Sequence, residues 1–248
     1  MQNNYTDFTD KVVLVTGASR GLGRAMALGF AECGANIVAT SRSAESCAGA
    51  VAEIEHLGRR AVAIGCHVGK WDELPRLVEG ALEAFGRIDV LVNNAGIAPV
   101  AESSAAVSEE LFDKIMAVNL KGPFRLSALV AEHMRAAGGG SIINITSTAA
   151  IRPEPVYPVY AAAKGALNIV TRSQAMEFGP AVRVNAIMAG PFWTDISRSW
   201  RDDYDRNAPS AVKRIGRPEE IVSSALYLAS PRSSYTTGAI IQLDGGTL

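Results

Sequence analysis

Seven short apolar runs, rich in β-branched residues, recur along this chain, with segments of helical period between them. They cover 12–16, 36–40, 61–66, 88–93, 141–146, 182–187 and 239–244. Most are apolar at successive positions, as in VVLVT and IDVLVN, and not at alternate ones. Strands buried on both faces read this way, because neither face meets water. Helical stretches at 24–33, 45–57 and 74–85 separate the early runs. Parallel strands cannot be joined by a tight turn, so strand, helix and strand in repetition predict crossover connections. The expected fold is α/β: one doubly wound, seven-stranded parallel sheet with helices on both faces, in a single domain over 1–248. The stretch 192–218 departs from the alternation, being polar, charged and the carrier of Trp193 and Trp200. It is expected to be a substrate lid, mobile without ligand and supplying an apolar wall when closed. Permanent packing of both indoles is the competing expectation.

Composition narrows the function. A formal net charge of −1 leaves no basic field, so nucleic-acid binding driven by phosphate neutralisation is not expected. Cys33, Cys47 and Cys66 are too few and too scattered for a disulfide framework or a zinc site, and His56, His67 and His133 do not cluster as metal ligands. The opening MQNNYTDFTDK lacks the basic and then apolar order of a secretory leader. No apolar run reaches the roughly 18 residues of a membrane span. The expectations are a cytoplasmic protein, no membrane and no metal.

The first strand runs directly into TGASRGLGRA. Gly17, Gly21 and Gly23 thus sit where a strand turns into a helix. Backbone approaches a pyrophosphate only where no Cβ intrudes, and a helix N-terminus offers unpaired N–H groups and partial positive charge. Three glycines alone are a weak signal, and a tight structural turn is the competing explanation. Their place after the first strand favours phosphate. The spacing is GxxxGxG and not the GxGxxG of the more familiar dinucleotide fingerprint.

Two tyrosines lie at the start of the long helix expected after the fifth strand, where Pro158 fits the first turn. Tyr160 has Lys164 four residues on, on the same helical face, whereas Tyr157 has Ala161 at that offset. Ionising a tyrosine near neutrality requires about 3 pKa units, or roughly 4 kcal/mol. One positive charge about 4 Å away supplies on the order of 4 kcal/mol at an effective dielectric near 20. Desolvation of the lysine subtracts from that. The pair therefore suits a proton donor for a carbonyl that accepts hydride, with an incidental pair on an amphipathic helix as the alternative.

Taken together these residues resemble the short-chain dehydrogenase/reductase family in its form of about 250 residues, from Lys11 to Gly246. The family's TGxxxGxG appears as Thr16 to Gly23, its NNAG as Asn93, Asn94, Ala95 and Gly96, and its YxxxK as Tyr160 to Lys164. Its serine falls at Ser147 and its helix asparagine at Asn119. Within the family the chain looks most like 3-oxoacyl-carrier-protein reductases and sugar dehydrogenases. The resemblance implies a Rossmann-type domain and a catalytic set of Asn119, Ser147, Tyr160 and Lys164. Tyr160 would be the general acid in reduction and the base in oxidation. Lys164 would bind the nicotinamide ribose and lower the tyrosine pKa. Ser147 would hold the substrate oxygen, and Asn119 would anchor a water joining Lys164 to solvent.

For the dinucleotide the resemblance implies contacts from Gly17, Ser19, Arg20, Gly21, Leu22, Gly23, Ser41, Arg42, Val68, Asn94, Ala95, Gly96, Tyr160, Lys164, Gly190, Phe192 and Thr194. Two departures stand out. Ala189 replaces the proline of the family's proline–glycine pair after the sixth strand, and His67 replaces the aspartate that sits beside the adenine. Cofactor choice is more explicit. Where related NAD enzymes carry an aspartate that binds the adenosine ribose, this chain has Ser41 followed by Arg42, with Arg20 nearby in the glycine turn. Guanidinium groups suit a 2′-phosphate, so NADP(H) is expected over NAD(H). A solvated Arg42 and a capping Ser41 are the plain alternative. The expectation is an NADP(H)-dependent oxidoreductase on a small carbonyl/alcohol substrate, and a homotetramer by family resemblance. The alternatives are an NAD-dependent sugar or polyol dehydrogenase and a non-catalytic dinucleotide-binding redox sensor.

Overall fold

Seven strands carry the sheet in the computed structural model, which describes residues 6–194 and 210–247. They are β1 (Val12–Thr16), β2 (Asn36–Ser41), β3 (Ala61–Gly65), β4 (Val90–Asn93), β5 (Gly140–Ser147), β6 (Val182–Ala189) and β7 (Ile240–Leu243). Every adjacent pair is parallel, in the order β3-β2-β1-β4-β5-β6-β7. The chain winds outward from β1 to β3, then returns past β1 to β4 and winds the other way. That reversal opens a crevice beyond the carboxyl ends of β1 and β4, where ligands bind in doubly wound sheets.

Helices cover both faces. On one, α1 (Gly21–Glu32), α2 (Ala48–His56) and α7 (Val222–Ala229) pack Met26, Phe30, Ile54 and Leu228 onto Val13, Val15 and Ile143. On the other, α3 (Leu74–Phe85), α5 (Gly122–Ala136) and α6 (Pro158–Phe178) pack Leu77, Leu126, Met134 and Phe178 onto Leu14, Leu91 and Ile142. The short α4 (Glu109–Met116) precedes α5. Alternate residues of one strand thus feed opposite cores, which is why these runs lack a polar phase.

Where boundaries differ from expectation, pairing explains it. β5 and β6 run on to Ser147 and Ala189 because those two residues are still register partners. The ladder at β4 begins at Val90, and Asp89 before it serves β1 through its side chain, whose Oδ2 accepts the Val12 N–H at 2.9 Å. Burial pushes the Asp89 carboxyl up, but hydrogen bonds from Arg87 and Val12 outweigh it and hold the group below the usual range. Of the expected lid, residues 195–209, including Trp200, lie outside the described residues. Its flanks are tied down: Trp193 N–H donates to Gly216 O at 2.8 Å, Gly216 N–H donates to Pro191 O at 3.0 Å, and Ser210 bridges Thr247. Among the described residues no helix is long and apolar enough to cross a membrane, and no metal-binding cluster of His, Cys, Asp and Glu is present.

Candidate active site

The glycine turn is locked to the loop after β4. Thr16 Oγ1 accepts the N–H groups of Asn94 and Ala95 at 2.9 and 3.0 Å and donates to Val92 O. The Asn94 amide donates to Thr16 O at 2.9 Å and to Gly17 O at 3.3 Å, so its side chain shapes the turn. Gly17 has φ +67°, and a Cβ on Gly23 would lie 2.2 Å from Gly17 O. Only glycine lets α1 begin that close to the turn, which leaves a backbone-lined cradle at a helix N-terminus. That cradle fits a dinucleotide pyrophosphate. Thr194 lies against it, since a Cβ on Gly21 would be 3.3 Å from Thr194 Cγ2. Leu22 packs onto the core, Ser19 is half-buried and Arg20 is exposed.

Ala18 N–H donates to Thr40 O at 3.1 Å, which sets the ends of β1 and β2 side by side. Ser41 closes β2 half-buried and Arg42 follows it into solvent. Beyond β3, His67 N–H donates to Glu73 Oε2 at 2.7 Å, and Gly69 N–H donates to His67 Nδ1 at 3.2 Å. His67 is therefore held in a local turn. Val68 is buried, and its carbonyl meets α5 where a Cβ on Gly122 would lie 2.3 Å away.

The catalytic candidates converge at the ends of β4 and β5. Ser147 ends β5, where its Oγ accepts the Ala149 N–H at 3.2 Å. Pro158 opens α6, which brings Tyr160 into its first turn, facing Ser147. Lys164 is one turn further on, buried, and donates to Ile145 O at 2.7 Å. Its Nζ lies 5.8 Å from the Tyr160 ring centroid. The Tyr157 ring meets Tyr160 edge-on at 6.0 Å. Burial pushes the Tyr160 phenol above its ordinary pKa, and the Ser147 hydroxyl offsets part of that. Burial also pulls Lys164 down from 10.5 to about 8, because the ammonium is taken out of water.

Asn119 occupies a π-helical turn, Ala117–Lys121, between α4 and α5. Its amide donates to Ile97 O and Ile115 O, each at 2.9 Å, and its Oδ1 accepts the Ile97 N–H at 3.2 Å. A Cβ on Gly96 would be 2.8 Å from Asn119 Oδ1 and 3.6 Å from Lys164 Nζ, so only glycine separates the two. A π-turn frees a carbonyl from the helix ladder, and here the asparagine itself takes it up. At the end of β6, Gly190 donates to Leu243 O at 2.9 Å, and a Cβ there would come within 2.4 Å of Asp244 Cβ. Phe192 is buried in the core against Gly216. Ala189, in the place of the proline, is a register partner of both Ser147 and Leu243.

The sequence reading missed a buried polar chain behind this site. Asn93 donates to Ser127 Oγ and Asn144 Oδ1, Asn144 donates to Thr171 Oγ1, each at 2.9 Å, and Thr171 donates to Leu167 O. It links β4 and β5 to the helix that carries Tyr160 and Lys164. The signal was an asparagine inside each of two otherwise apolar runs.

Comparison with known proteins shows the family. A family model described as enoyl-(acyl carrier protein) reductase matches residues 17–247. The 3-oxoacyl-(acyl-carrier-protein) reductase of Thermotoga maritima is 38% identical over 95% of this chain and 97% of its own. An L-rhamnose 1-dehydrogenase (NAD(P)(+)) of Azotobacter vinelandii is 37% identical over 96% of each chain. A solved short-chain type dehydrogenase/reductase of Mycobacterium marinum superposes with a TM-score of 0.93 at 32% identity, over 98% of each chain. On the family model and on these identities over nearly the whole chain, the chain belongs to the short-chain dehydrogenase/reductase family of NAD(P)-dependent oxidoreductases.

Proposed function

We propose that this enzyme is an NADP(H)-dependent oxidoreductase that interconverts a ketone or aldehyde with an alcohol, using Tyr160 as the general acid and base. The observation that carries this reading is Tyr160 facing Ser147 at the end of β5, one helical turn from the buried Lys164. Ser147 holds the substrate oxygen as a neutral donor, an interaction that strengthens as the oxygen gains negative charge. Tyr160 gives its proton to that oxygen in reduction and recovers it in oxidation. Its raised pKa keeps it protonated, so in the ligand-free site it is ready as an acid. Lys164 binds the nicotinamide ribose and, with Asn119 across Gly96, returns a proton from solvent by way of a water. The dinucleotide supplies or accepts the hydride when bound, so the chain needs no metal for this step. The glycine cradle, the loop from Asn94 to Gly96, Val68, Gly190 and Thr194 hold it, and Ser41, Arg42 and Arg20 receive its 2′-phosphate. We further propose a cytoplasmic homotetramer, as the family resemblance implies.

Nicotinamide absorbance on a carbonyl and alcohol panel, run with both cofactors, tests the reading. The expected result is turnover with kcat/KM for NADPH at least about tenfold that for NADH, or roughly 1.4 kcal/mol. Equal or better use of NADH contradicts the cofactor assignment. Tight dinucleotide binding without turnover favours a redox sensor.

A further inference from the structure

Three loops leave the adjacent ends of β4, β5 and β6, and the second runs from Ser147 to the helix that carries Tyr160. They share one chemistry. Residues 97–101 read IAPVA, residues 149–151 read AAI, and residues 191–193 read PFW. Only the Trp193 indole among these side chains carries a polar atom. The first two loops are joined, since Ala101 N–H donates to Val156 O at 2.9 Å. Phe192 and Ala149 are buried, but four other apolar side chains of these loops face solvent: Val100 is 67% exposed, Ile151 53%, and Val156 and Trp193 37% each. Single exposed apolar residues are ordinary, but four on loops that leave neighbouring strand ends beside one reactive pair suit a ligand-facing rim.

Among the described residues, polar alternatives around the rim are few, with Thr148 and Tyr157 in the second loop. Ser103 already caps its own turn by accepting the Ala106 N–H. The exposed charges of these loops are Arg152, Glu102 and Glu154, one cation against two anions among the described residues. That balance gives no field for a phosphate-bearing carrier. A polyol would desolvate several hydroxyl groups against side chains that cannot pair with them, and each unpaired group costs affinity.

The geometry points to a substrate whose reacting carbonyl is attached to an apolar body, an alkyl, alicyclic or aromatic ketone or aldehyde, and not to a polyol or a coenzyme A thioester. This rests on the carbonyl-reductase reading above. The test uses the full-length enzyme with NADPH and three probes: acetophenone, L-erythrulose and acetoacetyl coenzyme A. The expected result is kcat/KM for acetophenone at least about 100-fold above either of the others. Ile151→Asp and Val156→Asp lie on the exposed rim and are each expected to raise KM for acetophenone about tenfold, with the dissociation constant of NADPH, read by its fluorescence, unchanged. A preference for erythrulose or the thioester overturns the proposal, as does an unmoved KM in both variants. If that preferred turnover is still lost in Tyr160→Phe, the carbonyl-reductase reading stands and only the substrate class falls. Absence of turnover on all three probes by an enzyme that binds NADPH overturns both.

Discussion

On the catalytic side of the crevice, Asn119 and Lys164 are buried and each is held by backbone carbonyls, whereas where β1 and β2 end Arg20 and Arg42 stand in solvent. The first region is set by the fold before any ligand arrives, in a low-dielectric surrounding where each interaction counts for more. The second, in the function proposed above, would work through exposed charge, which salt screens. Substitutions of comparable size should therefore have unequal consequences on the two sides.

The largest effect is expected at Lys164. Lys164→Met removes a buried ammonium beside the reacting groups, and kcat should fall by about 10², roughly 2.7 kcal/mol. The same residue gives stability a pH dependence. Its pKa is depressed to about 8 in the folded protein against 10.5 for an unburied lysine, so between those values the unfolded chain binds more protons. The free energy of unfolding should then rise as pH goes from 8 toward 10.5, in urea titrations, and Lys164→Met should flatten that rise. An unchanged profile in the variant would show that the ammonium is not buried as described. The raised Tyr160 acts oppositely above pH 10, since there the folded state keeps a proton that the unfolded chain loses.

The next effect concerns the polar chain. Thr171→Val leaves the Asn144 amide without its acceptor in the core, at a cost of about 1–3 kcal/mol. Tm should drop by several degrees, by about 2–4 °C for each kcal/mol. Thr171→Ser keeps the hydroxyl and should retain most of it. Equal losses in the two variants would assign the effect to packing and not to the hydrogen bond.

Across the crevice, Ser41→Asp combined with Arg42→Ala should lower the NADPH preference by about tenfold, close to 1.4 kcal/mol. In the unaltered enzyme that preference should shrink as salt rises from about 0.05 to 0.5 M, because exposed guanidinium groups provide it. A salt-independent preference would mean the phosphate is bound in a desolvated pocket, and the contrast between the two regions would fail. The smallest effect is expected at Glu220. Two hydrogen bonds from Arg214 and one from the Arg217 N–H hold its carboxyl down at about 2, yet the pair is exposed. Its contribution is present above pH 4.5 and is lost as pH falls toward about 2. Glu220→Gln should move Tm at neutral pH by a degree or two at most.

The same contrast explains what could be read in advance. Strands with two buried faces leave no polar phase, so the seven runs and the all-parallel sheet were visible in the sequence. Gly17 and Gly23 were visible because close backbone approach excludes every other residue, Gly96 through the family resemblance, and Tyr160 with Lys164 because a helix fixes their spacing. Asn119 was visible as a position, but its π-turn was not, since the turn depends on the Ile97 backbone 22 residues earlier. The pairing of Asn93, Asn144 and Thr171 arises from strands and a helix far apart in the chain, which local pattern does not encode. Burial also decided the direction in which Tyr160 shifts. The spacing of Tyr160 and Lys164 does not reveal that the ammonium reaches the Ile145 carbonyl or that both groups are desolvated.

Tyr157 and Tyr160 meet edge-on, and Tyr160 faces Ser147 and shares a helical face with Lys164, whereas Tyr157 has Ala161 at that offset. Single-turnover reduction of a carbonyl substrate by NADPH, compared between Tyr160→Phe and Tyr157→Phe, therefore tests the central claim most directly. Loss of the phenol at 160 should slow the chemical step by about 10² or more while leaving dinucleotide affinity near its original value. Loss of the phenol at 157 should act mainly on KM, through the wall of the pocket. If Tyr157→Phe abolished the step and Tyr160→Phe did not, the proton donor would have been assigned to the wrong tyrosine.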